Sequence, residues 1–134
     1  MDDLGTAGDL LRQFKGDSYR FGNHVLSDVG DVAASYGRRA VLVHSGFAGS
    51  QAYLDAIRAS LERAGVHLAA DVRGARPNAP REDVTRIAER IGQADPDVLV
   101  SFGGGSTIDA VKAAEVLRML GGDIDGYFGT GLVT

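Results

Sequence analysis

The stretch Val98-Leu99-Val100-Ser101-Phe102-Gly103-Gly104-Gly105-Ser106 decides the fold class of this chain. Its first five residues form a short apolar run with β-branched side chains, which predicts a buried strand. The three glycines end that strand, and the apolar residues of 108–120 then predict a helix that is buried on two sides. A buried strand that leads through glycines into a helix is typical of parallel sheets whose strands are joined by helices.

Strands and helices alternate along the rest of the chain at regular spacing. Short apolar or alternating runs predict further strands over residues 18–22, 40–44 and 66–70. Apolar residues at helical spacing predict helices over residues 25–36, 53–64 and 84–94. The alternation predicts an α/β fold of Rossmann-like type, with a mainly parallel sheet and helices on both faces.

Length and composition fit one globular domain. The chain has 134 residues and a mass of 14.0 kDa, with 44% hydrophobic and 24% charged residues. These fractions exclude a disordered, collagen-like or coiled-coil protein. We expect residues 1–17 to form an N-terminal extension with a short helix near Leu10 and Leu11, and residues 18–134 to form the domain.

Charge and cysteine content narrow the classes of function. The net charge of −4 and the pI of 5.2 are unfavourable for general nucleic-acid binding, which needs a basic surface. The absence of cysteine excludes disulfides and thiolate metal sites. No apolar run approaches the ~18 residues of a membrane span, and the start Met1-Asp2-Asp3 lacks the basic residues of a signal peptide. We therefore expect a cytoplasmic protein with neither nucleic acid nor membrane as its partner.

Three loops are predicted at the carboxyl edge of the sheet, where open parallel sheets bind ligands: 45–50, 71–79 and 103–106. In the last of them, Gly103, Gly104, Gly105 and Ser106 leave the backbone accessible at the start of a helix, an arrangement that suits a pyrophosphate. The alternative is a tight turn with Ser106 as the helix N-cap and Asp109 completing a capping box. Three consecutive glycines are more than a turn requires, which favours phosphate binding.

The segment Gly103-Gly104-Gly105-Ser106-Thr107-Ile108-Asp109-Ala110-Val111-Lys112 resembles the G-G-G-S-x-x-D-x-x-K signature of the iron-containing (group III) alcohol dehydrogenases, whose relatives include glycerol dehydrogenase and dehydroquinate synthase. Phe21-Gly22 and the segment 36–43 resemble the opening strand, helix and second strand of that family. Residues 76–80 resemble its P-N-P-type loop. The similarity covers about residues 18–130.

The resemblance implies a dinucleotide-binding domain for NAD or NADP. Gly104, Gly105 and Ser106 would hold the pyrophosphate, with Gly103 in the same loop. Asp109 and Lys112 would line the crevice near the nicotinamide end. Asn78 would face the cofactor from the neighbouring loop.

The chain departs from many NAD-binding members of the family after its second predicted strand. Those members carry an aspartate there for the ribose hydroxyls, whereas this chain has His44-Ser45-Gly46. Without that carboxylate a 2′-phosphate is not repelled, and Ser45, Gly46, Gly49 and Ser50 could donate hydrogen bonds to it. This favours NADP; the alternative is an ordinary Gly/Ser loop.

The metal half of such an enzyme is not found in this sequence. His24, His44 and His67 fall in three different predicted elements, and their spacing does not fit a metal site. The resemblance implies that Fe²⁺ or Zn²⁺ would be bound by a C-terminal helical domain, through an aspartate and three histidines, only in a longer enzyme. Without the metal, no Lewis acid would polarise the alcohol oxygen, so this chain alone should be inactive.

Two classes of function follow. The first is the NAD(P)-binding domain of a metal-dependent alcohol dehydrogenase, or the same half of a glycerol dehydrogenase- or dehydroquinate synthase-like enzyme. The second is a stand-alone nucleotide-binding module without catalytic activity. A separated domain would expose the apolar face that meets the missing half, so a homo-oligomer through that face is a further expectation.

Overall fold

The computed structural model describes residues 3–127, except for the side chain of Leu4. Within that range the chain forms five α-helices and three strands. They are α1 Asp3–Lys15, α2 Val29–Ala34, β1 Arg39–His44, α3 Gln51–Arg63, β2 His67–Arg73, α4 Arg81–Ala94, β3 Val98–Phe102 and α5 Gly105–Leu120. Single 3₁₀ turns lie at Gly16–Ser18, Val25–Asp28 and Ile124–Tyr127.

The three strands form one parallel sheet in the order β2-β1-β3. The central strand β1 is buried on both faces, because its side chains alternate between two clusters. Val41 and Val43 pack with α4 and α5, whereas Ala40 and Leu42 pack with α2 and α3. The predicted α/β fold, with helices on both faces of a parallel sheet, is therefore confirmed.

The path of the chain opens a crevice between the carboxyl ends of β1 and β3. These strands are neighbours, but β1 leads into α3 on one face of the sheet and β3 leads into α5 on the other. Neighbouring strands whose helices go to opposite faces define a topological switch point, which is where open α/β sheets bind ligands.

The N-terminal region differs from the sequence prediction in two places. Residues 3–15 form a helix of 13 residues rather than a short one near Leu10 and Leu11. The strand predicted over 18–22 is wrong, because no strand of the described chain pairs with that segment. The Ser18 hydroxyl donates instead to the Lys15 carbonyl, and the Arg20 side chain to the Asp17 carbonyl. Its apolar side chains, Tyr19 and Phe21, stay 44% and 55% exposed.

The second strand is longer than predicted and the second helix is shorter. β2 continues through Arg73, so Asp71, Val72 and Arg73 belong to the sheet and not to a loop. The helix predicted over 25–36 is a 3₁₀ turn followed by the short helix α2. The helices predicted over 53–64 and 84–94 and the strands over 40–44 and 98–102 lie close to α3, α4, β1 and β3.

Helix α5 also differs from expectation at its start and in its burial. It begins at Gly105 with Gly104 as N-cap and without a side-chain cap, so the capping box of Ser106 and Asp109 is absent. Only the side that carries Thr107, Ala110, Val111 and Ala114 is buried. The prediction of burial on two sides is wrong because α5 packs against α4 and the sheet with one continuous face, and its opposite face, which carries Ile108, Lys112 and Met119, stays exposed.

No helix among residues 3–127 is long and apolar enough to cross a membrane.

Candidate functional site

A cleft of about 780 Å³ lies at the carboxyl edge of the sheet, on the side of α4 and α5. The segment after β1, the end of β2 with the loop that follows it, the first turns of α4 and the start of α5 form its walls. They contribute Ser45, Arg73, Gly74, Ala75, Arg76, Pro77, Asp83, Arg86, Gly104, Gly105, Ser106 and Thr107.

Neither the backbone dihedral angles nor the neighbouring atoms require glycine at positions 104 and 105. Gly104 has φ −81°, which any residue adopts, and Gly105 already lies within α5. A Cβ atom at either position would meet nothing within 4 Å. The two missing side chains therefore leave open space at the cleft wall, which a tight turn alone does not require.

The backbone N–H groups at this point are available to a ligand. The N–H groups of Thr107 and Ile108 donate to the Gly104 carbonyl at 3.1 and 3.2 Å. Those of Gly105 and Ser106 have no acceptor within residues 3–127. Unpaired donors at the positive end of a helix of 16 residues suit a bound phosphate group.

Gly103, in contrast, is glycine because a side chain would not fit there. A Cβ atom there would lie 2.8 Å from the Thr107 Cβ atom and 3.0 Å from the Ser45 hydroxyl oxygen. The loop after β3 therefore packs directly against the segment after β1 and the first turn of α5. This contact fixes the distance between Ser45 and the glycine loop across the crevice.

The cleft is electropositive although the chain as a whole is acidic. Its lining contains three arginines and one aspartate, a net charge of +2 (3 − 1), against −4 for the whole sequence. Arg86 donates to the backbone carbonyls of Arg73 and Gly74 at 2.9 and 3.0 Å. A positively charged cleft at a helix N-terminus attracts phosphate groups.

The loop that follows β2 is tied to α4 by an ion pair. The Arg76 Nε atom and its backbone N–H both donate to the Asp83 carboxylate at 2.9 Å, and the guanidinium also reaches Glu82 at 2.8 Å. The hydrogen bond from the Arg76 side chain holds the pKa of Asp83 below its usual value. The same loop contains two consecutive left-handed residues, Asn78 and Ala79, at φ +65° and +47°.

A second charge cluster lies at the ends of β1 and β2, on the α3 face. The Asp71 carboxylate accepts a hydrogen bond from Arg58 Nε at 3.0 Å and lies 2.6 Å from His44 Nε2. The hydrogen bond with Asp71 raises the pKa of Arg58 above its ordinary value. This carboxylate is therefore already neutralised by side chains of α3 and β1.

The structure brings together some of the predicted binding residues and separates others. Ser45, Gly104, Gly105 and Ser106 line the cleft, Gly103 packs behind them, and Gly46 lies against the Arg73 guanidinium. The remaining three, Asn78, Asp109 and Lys112, are exposed and are not among the residues that line the cleft. Their roles as cofactor ligands remain predictions.

Sequence reasoning missed the arginines of the cleft. The sequence predicts a strand that ends at residue 70 and places Arg73 in the following loop, whereas β2 continues through Arg73 to the edge of the sheet. Arg86 lies one turn into α4 and reaches back to β2. The period of α4 indicated its apolar face, on which Ile87 packs, but a pattern of periodicity does not show where a long arginine side chain ends.

No group of three or more metal-ligating side chains is found in the part of the chain that the structure describes. His24 precedes a 3₁₀ turn, His67 begins β2, and His44 ends β1 beside a single carboxylate. These residues do not fit a catalytic iron or zinc ion, which needs at least three protein ligands.

The parallel sheet, the switch point and the helices on both faces define a Rossmann-like α/β domain. The profile of the family described as iron-containing alcohol dehydrogenase matches residues 17–132, so the chain belongs to that family.

Curated relatives match parts of the chain. A sulfoacetaldehyde reductase from Bilophila wadsworthia is 57% identical over 37 residues, 28% of this chain and 10% of that protein. An NADPH-dependent butanol dehydrogenase from Clostridium saccharobutylicum is 35% identical over 78 residues, 58% of this chain and 20% of that protein. The matched part of the chain thus covers a fifth or less of these relatives.

A solved structure shares the fold. The NADH-dependent butanol dehydrogenase A of Thermotoga maritima superposes with a TM-score of 0.70 at 26% identity, over 78% of this chain and 26% of that one.

Proposed function

We propose that this chain is the nucleotide-binding part, residues 18–134, of an NAD(P)-dependent alcohol dehydrogenase. Such an enzyme transfers a hydride between an alcohol or aldehyde and a nicotinamide dinucleotide. The observation that carries the proposal is the pair Gly104 and Gly105, which are glycine where neither the backbone nor the packing requires it. Membership of the family and the names of its relatives support the same reading.

The chain's own residues would bind and orient the cofactor. The N–H groups of Gly105 and Ser106 would receive the pyrophosphate, and the arginines of the cleft would offset its charge. Fe²⁺ or Zn²⁺ and the substrate would require residues that this part of the chain does not supply. We also propose that the protein is cytoplasmic. The mass of the native polypeptide distinguishes a domain of a longer enzyme from a stand-alone nucleotide-binding module.

We further propose that the cofactor is NADP rather than NAD. Ser45 lines the cleft, where its hydroxyl could donate to a 2′-phosphate. No carboxylate is found among residues 45–50, which directly follow β1. An acidic residue that binds the ribose hydroxyls is the usual feature of NAD selection.

Calorimetric titration of the 134-residue chain with NADPH and NADH tests the site, with Gly104→Val as the variant. The valine side chain would point into the open cleft, so we expect at least about a 10-fold loss of affinity, equal to ~1.4 kcal/mol. The thermal midpoint should fall only slightly, because Gly104 has no packing neighbours and only the preference of the α5 N-cap for glycine over valine is lost.

The matched control is Gly8→Val, on α1, where a Cβ atom also meets nothing within 4 Å. It should leave cofactor binding unchanged. A folded wild-type chain that binds neither dinucleotide, or a Gly104→Val variant that binds as well as wild type, would contradict the assignment.

A further inference from the structure

We infer that Arg73 selects the phosphorylated dinucleotide by binding the 2′-phosphate of NADP. This inference rests on the proposed function of the cleft and assigns a specificity-determining residue to it. Arg73 is the last residue of β2, opposite His44 in the register, and it lines the cleft together with Ser45.

The Arg73 guanidinium lies in the space that the missing side chain of Gly46 leaves open. It lies against Gly46, where a Cβ atom would overlap its Nη1 atom. Gly46 also has a left-handed backbone, φ +61°, which other residues adopt at a cost. The backbone conformation favours glycine at position 46, and the absence of a side chain there leaves room for the Arg73 guanidinium beside Ser45.

The charge of Arg73 is not neutralised by the carboxylates around it. Asp71 is engaged by Arg58 and His44, and Asp83 is engaged by Arg76. Within residues 3–127 the Arg73 side chain makes no ion pair and no hydrogen bond. A guanidinium without a carboxylate partner has its donors available for a phosphate, which it binds through two parallel hydrogen bonds.

The backbone that carries Arg73 is held in place from two sides. Its carbonyl accepts a hydrogen bond from Arg86 at 2.9 Å, and the next N–H group, that of Gly74, donates to the His44 carbonyl at 2.8 Å. A Cβ atom at Gly74 would approach the same carbonyl to 3.1 Å, so the strand end packs tightly against β1. The arginine is thus presented from a rigid strand end.

The position of Arg73 favours the 2′-phosphate over the pyrophosphate. The available N–H groups of Gly105 and Ser106 follow β3, whereas Arg73 ends β2, on the far side of the central strand β1. Two strand spacings, each ~4.8 Å, separate these walls of the cleft. A dinucleotide that places its pyrophosphate on α5 and its adenosine ribose beside Ser45 would bring a 2′-phosphate to Arg73.

Titration of the 134-residue chain with two matched pairs of probes tests the inference: NADPH against NADH, and 2′,5′-ADP against 5′-AMP. We expect the wild-type chain to prefer NADPH and 2′,5′-ADP. Arg73→Ala should weaken both of these ligands by about 10- to 100-fold, the effect of a lost charge-assisted contact, and leave NADH and 5′-AMP within about twofold. Arg73→Lys should restore part of the preference, because it keeps the charge but not the paired donors.

Two further variants separate this role from general effects. Arg90→Ala removes the same charge from an exposed position of α4 outside the cleft, and it should change none of the four affinities. Arg73→Gln keeps most of the side-chain stem but removes the charge, so it should reproduce the selective loss if Arg73→Ala fails to fold.

The outcomes are distinguishable. An equal loss of NADPH and NADH on Arg73→Ala would assign Arg73 to the pyrophosphate and overturn the inference while supporting the proposed function. A wild-type preference for NADH would also overturn it. A folded wild-type chain that binds none of the four probes would overturn the proposed function and the role of Arg73 together.

Discussion

Adjacent glycines of the loop after β3 are glycine for different physical reasons, and this difference can be measured. Gly103→Ala would place a methyl group against the Thr107 side chain and the Ser45 hydroxyl. We expect it to lower the free energy of unfolding by about 1–3 kcal/mol, the usual cost of overpacking. Gly105→Ala lies in the first turn of α5 with open space around it, so it should be neutral or stabilise by up to about 1 kcal/mol.

Urea unfolding of Gly103→Ala and Gly105→Ala measures the two free energies of unfolding. Titration of Gly105→Ala with NADPH then shows whether the same substitution affects binding. A stable Gly105→Ala chain with weakened binding would mean that the glycine serves the ligand. Equal destabilisation by both substitutions would mean instead that the whole loop is glycine-rich for structural reasons.

At the scale of residues, the sequence predicted the backbone donors of the glycine loop but not the arginine side chains of the cleft. Gly104, Gly105 and Ser106 were found because a glycine run after an apolar strand has a local signature. Arg73 and Arg86 have none, since their place in the cleft depends on where β2 ends and on a contact between α4 and β2. Tertiary contacts of long side chains are not encoded in a short pattern.

At the scale of elements, the Arg76–Asp83 ion pair anchors the loop after β2 to α4, and it should make stability depend on pH. Because the Arg76 side chain lowers the pKa of Asp83 in the folded chain, the carboxylate stabilises the fold above its unfolded pKa of about 4. That stabilisation should be lost as the pH falls below about 4, through the lower folded value.

Thermal midpoints of wild type and Asp83→Asn, measured from pH 7 to pH 3, test this dependence. Wild type should be the more stable at pH 7, and the difference should shrink at the acid end. Asp31→Asn removes an exposed carboxylate of α2 that has no ion-pair or hydrogen-bond partner within residues 3–127, and it should show no such convergence. A difference between wild type and Asp83→Asn that stays constant over the whole range would contradict the role of the pair.

Element types were predictable from the sequence where burial fixes the period, as in β1, β3, α3 and α4. The prediction failed where the structure of a segment depends on the elements that pack against it. The segment 18–22 alternates like a strand but has no neighbouring strand within residues 3–127. Helix α5 is apolar on more sides than α4 and the sheet cover. Both errors have one cause, because a pattern of side chains does not reveal which partner element is present.

At the scale of the whole molecule, α5 leaves apolar side chains uncovered. Ile108 and Met119 are 39% and 65% exposed. They lie eleven residues apart, about three helical turns, so both project from the same side of α5. Lys112 and Glu115 lie between them in sequence on that side, so the exposed surface is mixed and not a continuous apolar face.

Because Ile108 and Met119 are exposed but separated by charged residues, we expect self-association through this side of α5 to be weak, with dimers appearing only at high concentration. Light scattering coupled to size exclusion at rising concentration measures it. Ile108→Lys with Met119→Lys should return the chain to a monomer, because burying two added charges opposes contact. Tyr36→Lys changes an equally exposed aromatic residue after α2 and should leave the association as in wild type. A single monomer peak for wild type at the highest concentration would contradict the expectation and mean that the charged residues of α5 suffice to keep its apolar side chains apart.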